Sequence, residues 1–135
     1  MKKIFIVSAA LLSLVCQQNK NNSDYKPGDE PKFYSKDNPG KWQNMENEHN
    51  PDITISNEKG EKMIDVKIGI TQTPSHYVEL ILLADHQHKE LAKIDIGRLN
   101  APHAIFKLPA TYRSKAYVIM KCNLHDMWES ELVFD

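Results

Sequence analysis

The chain has 135 residues, of which 17 are basic and 18 are acidic, and its formal net charge is −1 with histidine neutral. This length is enough for one domain with a modest hydrophobic core. Without residues 1–16, which have the pattern of a removable segment, the chain lacks Lys2 and Lys3 and has a net charge of about −3. Nucleic-acid binding instead needs a clustered basic face. We therefore expect no nucleic-acid partner.

Residues 1–16 have the pattern of an export signal. Lys2 and Lys3 precede an apolar run from Ile4 to Val15, which is too short to span a bilayer comfortably. Cys16 then resembles a lipoprotein cleavage site, at which the cysteine becomes the lipidated first residue. We expect an exported protein that is periplasmic or anchored to the membrane by a lipid on Cys16. The alternative is a buried N-terminal helix or strand.

Residues 17–41 form the next segment and are predicted to be a polar tether. They are rich in Asn, Lys, Asp, Glu, Gly and Pro and contain few aliphatic side chains. Such a composition does not bury enough apolar surface to order itself as a core. We expect the tether to become an ordered lead-in near Trp42, and we place the folded domain at residues 42–135.

From Ile53 onward, six or seven short segments have the pattern of β-strands. Alternation of apolar and polar side chains, or a short apolar run, favours strands, and polar turns such as Glu58-Lys59-Gly60 separate them. The segments are ITISN, KMIDVKIGI, HYVELILLAD, KELAKIDIG, HAIFKLPA, KAYVIMKC and ESELVFD. None of the sequence has a sustained helical period. The pattern predicts an all-β protein, an immunoglobulin-like antiparallel β-sandwich.

The stretch MKCNLHDMW near the end of the chain contains a candidate metal site. Cys122 and His125 are spaced as Cys-x-x-His, and a thiolate with an imidazole suits zinc, copper or iron. If Cys16 is lipidated, Cys122 has no partner for an intramolecular disulfide, and metal binding accounts for the remaining thiol. His49 and His76 stand at strand entrances, where loops converge at one end of a sandwich. The alternative is a buried thiol near a surface histidine, without metal.

Three blocks of the sequence resemble the superoxide reductases, the desulfoferrodoxin and neelaredoxin family. CNLHDMW resembles that family's Cys-Asn-x-His-Gly-x-Trp signature, and HYVELILLAD resembles its His-Tyr-Ile-Glu-Trp-Ile-Glu-Leu strand. EHNPDI resembles its Glu-Lys-His-x-Pro-x-Ile segment. The order and spacing of the blocks agree, so the resemblance covers roughly residues 42–135.

The resemblance implies a mononuclear non-haem iron centre on an immunoglobulin-like sandwich. In the family, four equatorial histidines and one axial cysteine thiolate hold the iron and leave a sixth position open. Superoxide takes one electron and two protons there and leaves as hydrogen peroxide, and an electron donor, here unidentified, restores the iron. The resemblance makes His49, His76 and His125 the equatorial ligands and Cys122 the axial ligand.

Three positions depart from the family pattern. Ile70, followed by Thr71, stands where the family has a histidine ligand followed by proline, and an aliphatic side chain cannot bind iron. Glu48 replaces the lysine that attracts superoxide, and we predict it to be a catalytic acid or a sixth ligand. Asp126 replaces the glycine after the last histidine and is expected to tighten or re-aim the ligand loop. The departures predict impaired turnover rather than loss of metal binding. The candidate substitutes for the missing ligand are Gln72, His86, His88 and His103.

Two other functions remain open. A cupredoxin-like copper electron carrier also uses a β-sandwich with a late Cys-x-x-His, and Met127 would then be an axial ligand beside His76. Asn123 and Trp128 instead match the iron family. The second possibility is a binding module with a redox-silent metal such as zinc, or with no metal. The remaining histidines have simpler interpretations: His86 and His88 on a solvated turn, and His103 at the surface.

Overall fold

A computed structural model describes Gly28 and residues 32–135. The predicted export signal and most of the predicted tether therefore lie outside the described residues. Two short helices come first, the 3-10 helix Gly40–Trp42 and the α-helix α1 at Glu46–His49. Seven strands follow: β1 Asp52–Glu58, β2 Glu61–Lys67, β3 Val78–Asp85, β4 Glu90–Asp95, β5 His103–Pro109, β6 Ala116–Cys122 and β7 Met127–Leu132.

The strands form two antiparallel sheets, as the sequence predicts. One sheet has the order β1-β2-β5 and the other has the order β4-β3-β6-β7. Because β2 pairs with β5 and β3 pairs with β6, the chain crosses between the two sheets more than once. Three strands packed on four with such connections are typical of immunoglobulin-like sandwiches. The all-β, immunoglobulin-like prediction is confirmed.

The core lies between the sheets and follows the period of two along the strands. In β2, Ile64 and Val66 are fully buried, and their neighbours in β5 across the ladder are Phe106 and Ala104. The opposite sheet contributes fully buried side chains as well, including Ile81. Each aliphatic side chain that is fully buried contributes about 1.5–3 kcal/mol relative to exposure, so this alternation accounts for the packing of the sheets.

The ordered lead-in starts earlier than Trp42. Tyr34 is 2% exposed, and it forms a parallel bridge with Trp128 of β7. Its amide donates to the carbonyl of Met127, and its carbonyl accepts from the amide of Glu129, both at 2.8 Å. The final part of the predicted tether thus runs beside the edge strand β7. Within residues 32–135, no helix has the length and apolar character needed to cross a membrane.

The segment between β2 and β3 positions α1. β2 ends at Lys67 rather than continuing to Ile70 as its alternating pattern predicts. Gly69 then runs against the helix: a Cβ atom on this residue would lie 3.1 Å from the carbonyl oxygen of Asn47 and 3.3 Å from Cα of Glu48. The missing side chain at Gly69 permits this close backbone approach.

Candidate metal centre

Four predicted ligands come from different elements at one end of the sandwich. His49 is the last residue of α1 and lies three residues before the start of β1, while His76 lies two residues before the start of β3. Cys122 is the last residue of β6, and His125 lies in the turn between β6 and β7. Since antiparallel neighbours alternate in direction, the starts of β3 and β7 and the end of β6 lie at the same end of their sheet. The start of β1, in the other sheet, lies at this end as well, because His49 joins the same cluster.

The four side chains converge on a common point. His49 Nε2 lies 2.9 Å from His125 Nδ1 and 3.4 Å from His76 Nε2. His125 Nδ1 and His76 Nε2 are 3.2 Å apart. Cys122 Sγ lies 3.5 Å from His125 Nδ1, and all four donor atoms are within 4.8 Å of one another. Two nitrogens bound at about 2.0–2.1 Å to one ion are about 2.9 Å apart at a right angle and about 3.4 Å apart at a tetrahedral angle. The spacing therefore fits a single metal ion.

The hydrogen bond of His49 leaves one ring nitrogen for a metal. Its Nδ1 lies 3.0 Å from the carbonyl oxygen of Met45, one turn earlier. A carbonyl oxygen only accepts, so Nδ1 donates, and Nε2 keeps its lone pair towards the other ligands. Burial lowers the pKa of His49, as do the nearby rings of His125 and His76, although the Met45 carbonyl and Glu48 act in the opposite direction. The neutral imidazole that a metal requires is thus favoured.

Burial also shifts the pKa values of His125 and Cys122. Desolvation lowers the pKa of His125, and the charge of His76 acts in the same direction, against opposing effects of Asp126 and Glu48. Desolvation raises the pKa of the Cys122 thiol, whereas hydrogen bonds from the backbone amides of Leu124 and His125 lower it. These two amides point at the sulfur and would stabilise a thiolate. The thiol is 2% exposed and is not in a disulfide.

The structure provides no substitute at position 70 within the described residues. Ile70 is 4% exposed and belongs to the hydrophobic core. Gln72 uses its amide elsewhere: Nε2 donates to the carbonyls of Gly97 and Asn100, and Oε1 accepts from the amide of Val78. Of the candidate substitutes, Gln72 is therefore excluded in this structure, because its donor and acceptor atoms already hold the loops around β3.

The other candidate histidines also lie outside the cluster of four. His86 is exposed on the turn between β3 and β4. His103 Nε2 lies 2.8 Å from Asp65 Oδ1 on the outer face of the β1-β2-β5 sheet. His88 is half-buried rather than solvated: its Nε2 lies 2.8 Å from Glu129 Oε2, and its ring stacks between two others, those of Phe33 and Tyr117.

Glu48 precedes the predicted ligand His49 and has an exposed side chain. Its charge raises the pKa of both His49 and His125, so its field reaches the cluster. It is not among the four clustered donor residues. Its predicted role as a catalytic acid or a further ligand stays a prediction.

Two supporting residues, Asn123 and Trp128, match the family signature in the sequence but were not assigned hydrogen bonds there. Asn123, between two predicted ligands, ties the segment of His76 to the turn: its Oδ1 accepts from the amide of Tyr77 at 2.8 Å, and its Nδ2 donates to the carbonyl of Ser75 at 2.9 Å. The fully buried Trp128 donates from its indole Nε1 to the carbonyl of His125 at 2.9 Å. The asparagine and tryptophan in CNLHDMW were the available signal, since polar side chains next to metal ligands often orient them.

Comparisons with known proteins agree with this fold and point to one family. A family model described as Desulfoferrodoxin matches residues 41–131. A superoxide reductase of Pyrococcus horikoshii is 27% identical over 106 residues, which cover 69% of this chain and 90% of that protein. A superoxide reductase of Thermococcus kodakarensis is 26% identical over 109 residues, covering 71% of this chain and 93% of that protein.

Solved structures share the fold at lower identity. Superoxide reductase (neelaredoxin) from Ignicoccus hospitalis superposes with a TM-score of 0.63 at 19% identity, covering 77% of this chain and 94% of that one. Superoxide reductase from Nanoarchaeum equitans gives a TM-score of 0.58 at 24% identity, covering 76% and 99%. Since the family model spans most of the chain, including all four clustered donor residues, the chain belongs to the desulfoferrodoxin family, that of the superoxide reductases.

Proposed function

We propose that the protein binds one iron ion and reduces superoxide to hydrogen peroxide. The observation that carries the proposal is the convergence of His49, His76, Cys122 and His125 within 4.8 Å. Imidazole and thiolate donors suit iron, and the superoxide reductases of Pyrococcus horikoshii and Thermococcus kodakarensis match most of the chain. The centre would take the electron from an external donor, which is not identified.

Bound iron would supply the electron that superoxide accepts, while the chain holds the ion and controls its surroundings. His49, His76 and His125 would hold it through nitrogen, and Cys122 through sulfur. Superoxide becomes hydrogen peroxide by gaining one electron and two protons, so each turnover needs one donated electron and a proton source. We propose Glu48 as a residue that passes protons near the centre.

Two features support a low rate of turnover. Ile70 offers no donor atom, so the described residues hold three clustered histidines rather than the four that the resemblance implies. Glu48 carries a negative charge whose field reaches two ligands. Such a charge opposes the approach of the superoxide anion, since local fields control the association rate of charged substrates.

A redox-silent centre is the second candidate. Three of the donor spacings, from 3.2 to 3.5 Å, are also close to those around a four-coordinate tetrahedral ion, and buried Ile70 takes the place of a further donor. Three histidines and one cysteine can hold zinc in this way. The protein would then act as a binding module without electron transfer.

Metal analysis followed by a stoichiometric assay tests the proposal. The protein is purified without added metal, its metals are quantified, and the ferrous form is mixed with superoxide and an electron donor. Reduction yields one peroxide per superoxide consumed, whereas dismutation yields one per two. Iron with the first ratio supports the proposed function. Zinc with no superoxide consumption supports the redox-silent centre, and copper with reversible electron transfer supports a cupredoxin-like carrier.

We also propose that the protein is exported and anchored by lipid on Cys16. The support is the pattern of residues 1–16, with two lysines, an apolar run and a cysteine. The test is the distribution of the full chain between membrane and soluble fractions, compared with Cys16→Ser. The wild type in the soluble fraction with residues 1–16 intact would contradict both statements.

A further inference from the structure

We propose that Asp126 and Trp42 are positioning residues for the metal ligand His125. Asp126 holds the indole of Trp42 against the imidazole of His125. The contact between the two rings fixes the orientation of the imidazole and covers it. The inference rests on the metal-binding part of the proposed function and not on superoxide reduction.

Asp126 is joined to the lead-in segment by two contacts. The indole Nε1 of Trp42 donates to Asp126 Oδ2 at 2.9 Å, and Lys41 Nζ lies 3.2 Å from the same oxygen. Two consecutive residues of the 3-10 helix thus share one carboxylate oxygen. The Lys41 pair is half-exposed, and exposed pairs contribute little. The indole bond to a charged acceptor is therefore the stronger restraint.

Trp42 in turn contacts the ligand. The ring centroids of Trp42 and His125 are 4.7 Å apart, and the planes meet at 81°, an edge-to-face arrangement that aromatic rings favour. Trp128 holds the His125 backbone through its carbonyl, but that bond does not restrain the ring. The contact with Trp42 acts on the ring itself, which must keep Nδ1 directed at the other donors.

The backbone of Asp126 supports the same role. Its φ is 64°, in the left-handed region, where a side chain carries a conformational cost that glycine avoids. Its carbonyl accepts from the amide of Cys122 at 3.0 Å, which closes the turn containing both ligands. Asp126 directly follows His125 in the chain. One turn therefore contains both the carboxylate that holds Trp42 and the imidazole that Trp42 covers.

Cobalt(II) serves as the probe, because its thiolate charge-transfer band and its release to a chelator are measured without superoxide. We expect Asp126→Ala and Trp42→Leu each to speed cobalt release by about tenfold or more and to alter the band, since loss of residues that orient a ligand typically costs about 10–100-fold in affinity. Asp126→Asn keeps an acceptor oxygen for the indole and should stay within about threefold of the wild type. The double variant Asp126→Ala/Trp42→Leu should release cobalt no faster than the faster of the two single variants, because both substitutions disrupt the same contact between Trp42 and His125.

A surface ion pair elsewhere supplies the matched control. Lys115 Nζ lies 3.1 Å from Glu131 Oε1, and both side chains are half-exposed, as in the Lys41 pair. Glu131→Ala should leave cobalt release and the band unchanged. Unchanged release in Asp126→Ala or Trp42→Leu, or additive effects in the double variant, would overturn the inference. If Trp42→Leu fails to fold, Trp42→Phe keeps an aromatic ring but removes the donor, so it should release cobalt about as fast as Asp126→Ala, and release at the wild-type rate would overturn the inference.

The result is independent of the proposed activity. A protein that binds cobalt with a thiolate band but consumes no superoxide would refute superoxide reduction and leave this test intact. Faster cobalt release in the variants, together with normal superoxide reduction by the wild type, would support both the inference and the proposed activity. Loss of cobalt binding by the wild type would refute both the metal site and the inference.

Discussion

Replacing Ile70 with histidine asks whether a vacant ligand position exists beside the metal centre. Ile70 is 4% exposed, so its replacement forfeits about 1.5–3 kcal/mol of apolar burial. An imidazole without a partner in that place costs about 1–3 kcal/mol more. We expect metal-free Ile70→His to be less stable than the wild type by about 2.5–6 kcal/mol.

Iron should recover part of this loss if the new imidazole reaches the ion. A further ligand that tightens binding tenfold returns about 1.4 kcal/mol to the folded state at saturating metal. Urea unfolding of metal-free and anaerobic ferrous protein measures the recovery, and the superoxide assay should show faster turnover.

Ile68→His is the matched control. Ile68 is 6% exposed in the same segment after β2, but it stands two residues before the position at which the family has its ligand. Metal-free Ile68→His should lose a similar amount of stability, but iron should not restore any additional part of it. Equal recovery in the two variants, with no gain in turnover for Ile70→His, would refute the idea that position 70 is a lost ligand.

Three further predictions concern the predicted ligands and the asparagine that holds the segment of His76. Cys122→Ser should abolish the thiolate charge-transfer band while the histidines still bind metal weakly, as seen by absorption spectroscopy. Metal-free protein should lose stability as the pH falls below about 6.5, because burial lowers the pKa of His49 and His125 and the unfolded chain then binds more protons; urea unfolding at two pH values measures this. Asn123→Ala should weaken cobalt binding by about tenfold in a chelator competition, because the segment of His76 loses both hydrogen bonds.

Each of the three has its own control. A band that survives in Cys122→Ser would mean that the sulfur is not a ligand. The double variant His49→Gln/His125→Gln should flatten the acid dependence, and an unchanged slope would assign it to other groups. Asn123→Asp keeps an acceptor for the Tyr77 amide and should lie between wild type and Asn123→Ala. Wild-type affinity in Asn123→Ala would show that the His76 segment is held in another way.

The strands and the types of donor residue were readable in the sequence. The alternation in KMIDVKIGI predicts the inward row Ile64 and Val66, because a strand points successive side chains to opposite faces. The pattern misses α1, since a helix of four residues, Glu46–His49, is too short to show a period. It also extends β2 to Ile70, where the approach of Gly69 to the helix ends the strand early.

The sequence by itself determined the all-β class and the types of donor, because periodicity and residue chemistry are local properties. Only the tertiary structure decided which donors meet. It brings His49 and His76 to the turn of Cys122 and His125, while it pairs His88 with Glu129 and His103 with Asp65 on other surfaces. The difference has one physical reason. The distance between side chains far apart in the chain depends on strand pairing and on the packing of the two sheets, which no short stretch of sequence contains.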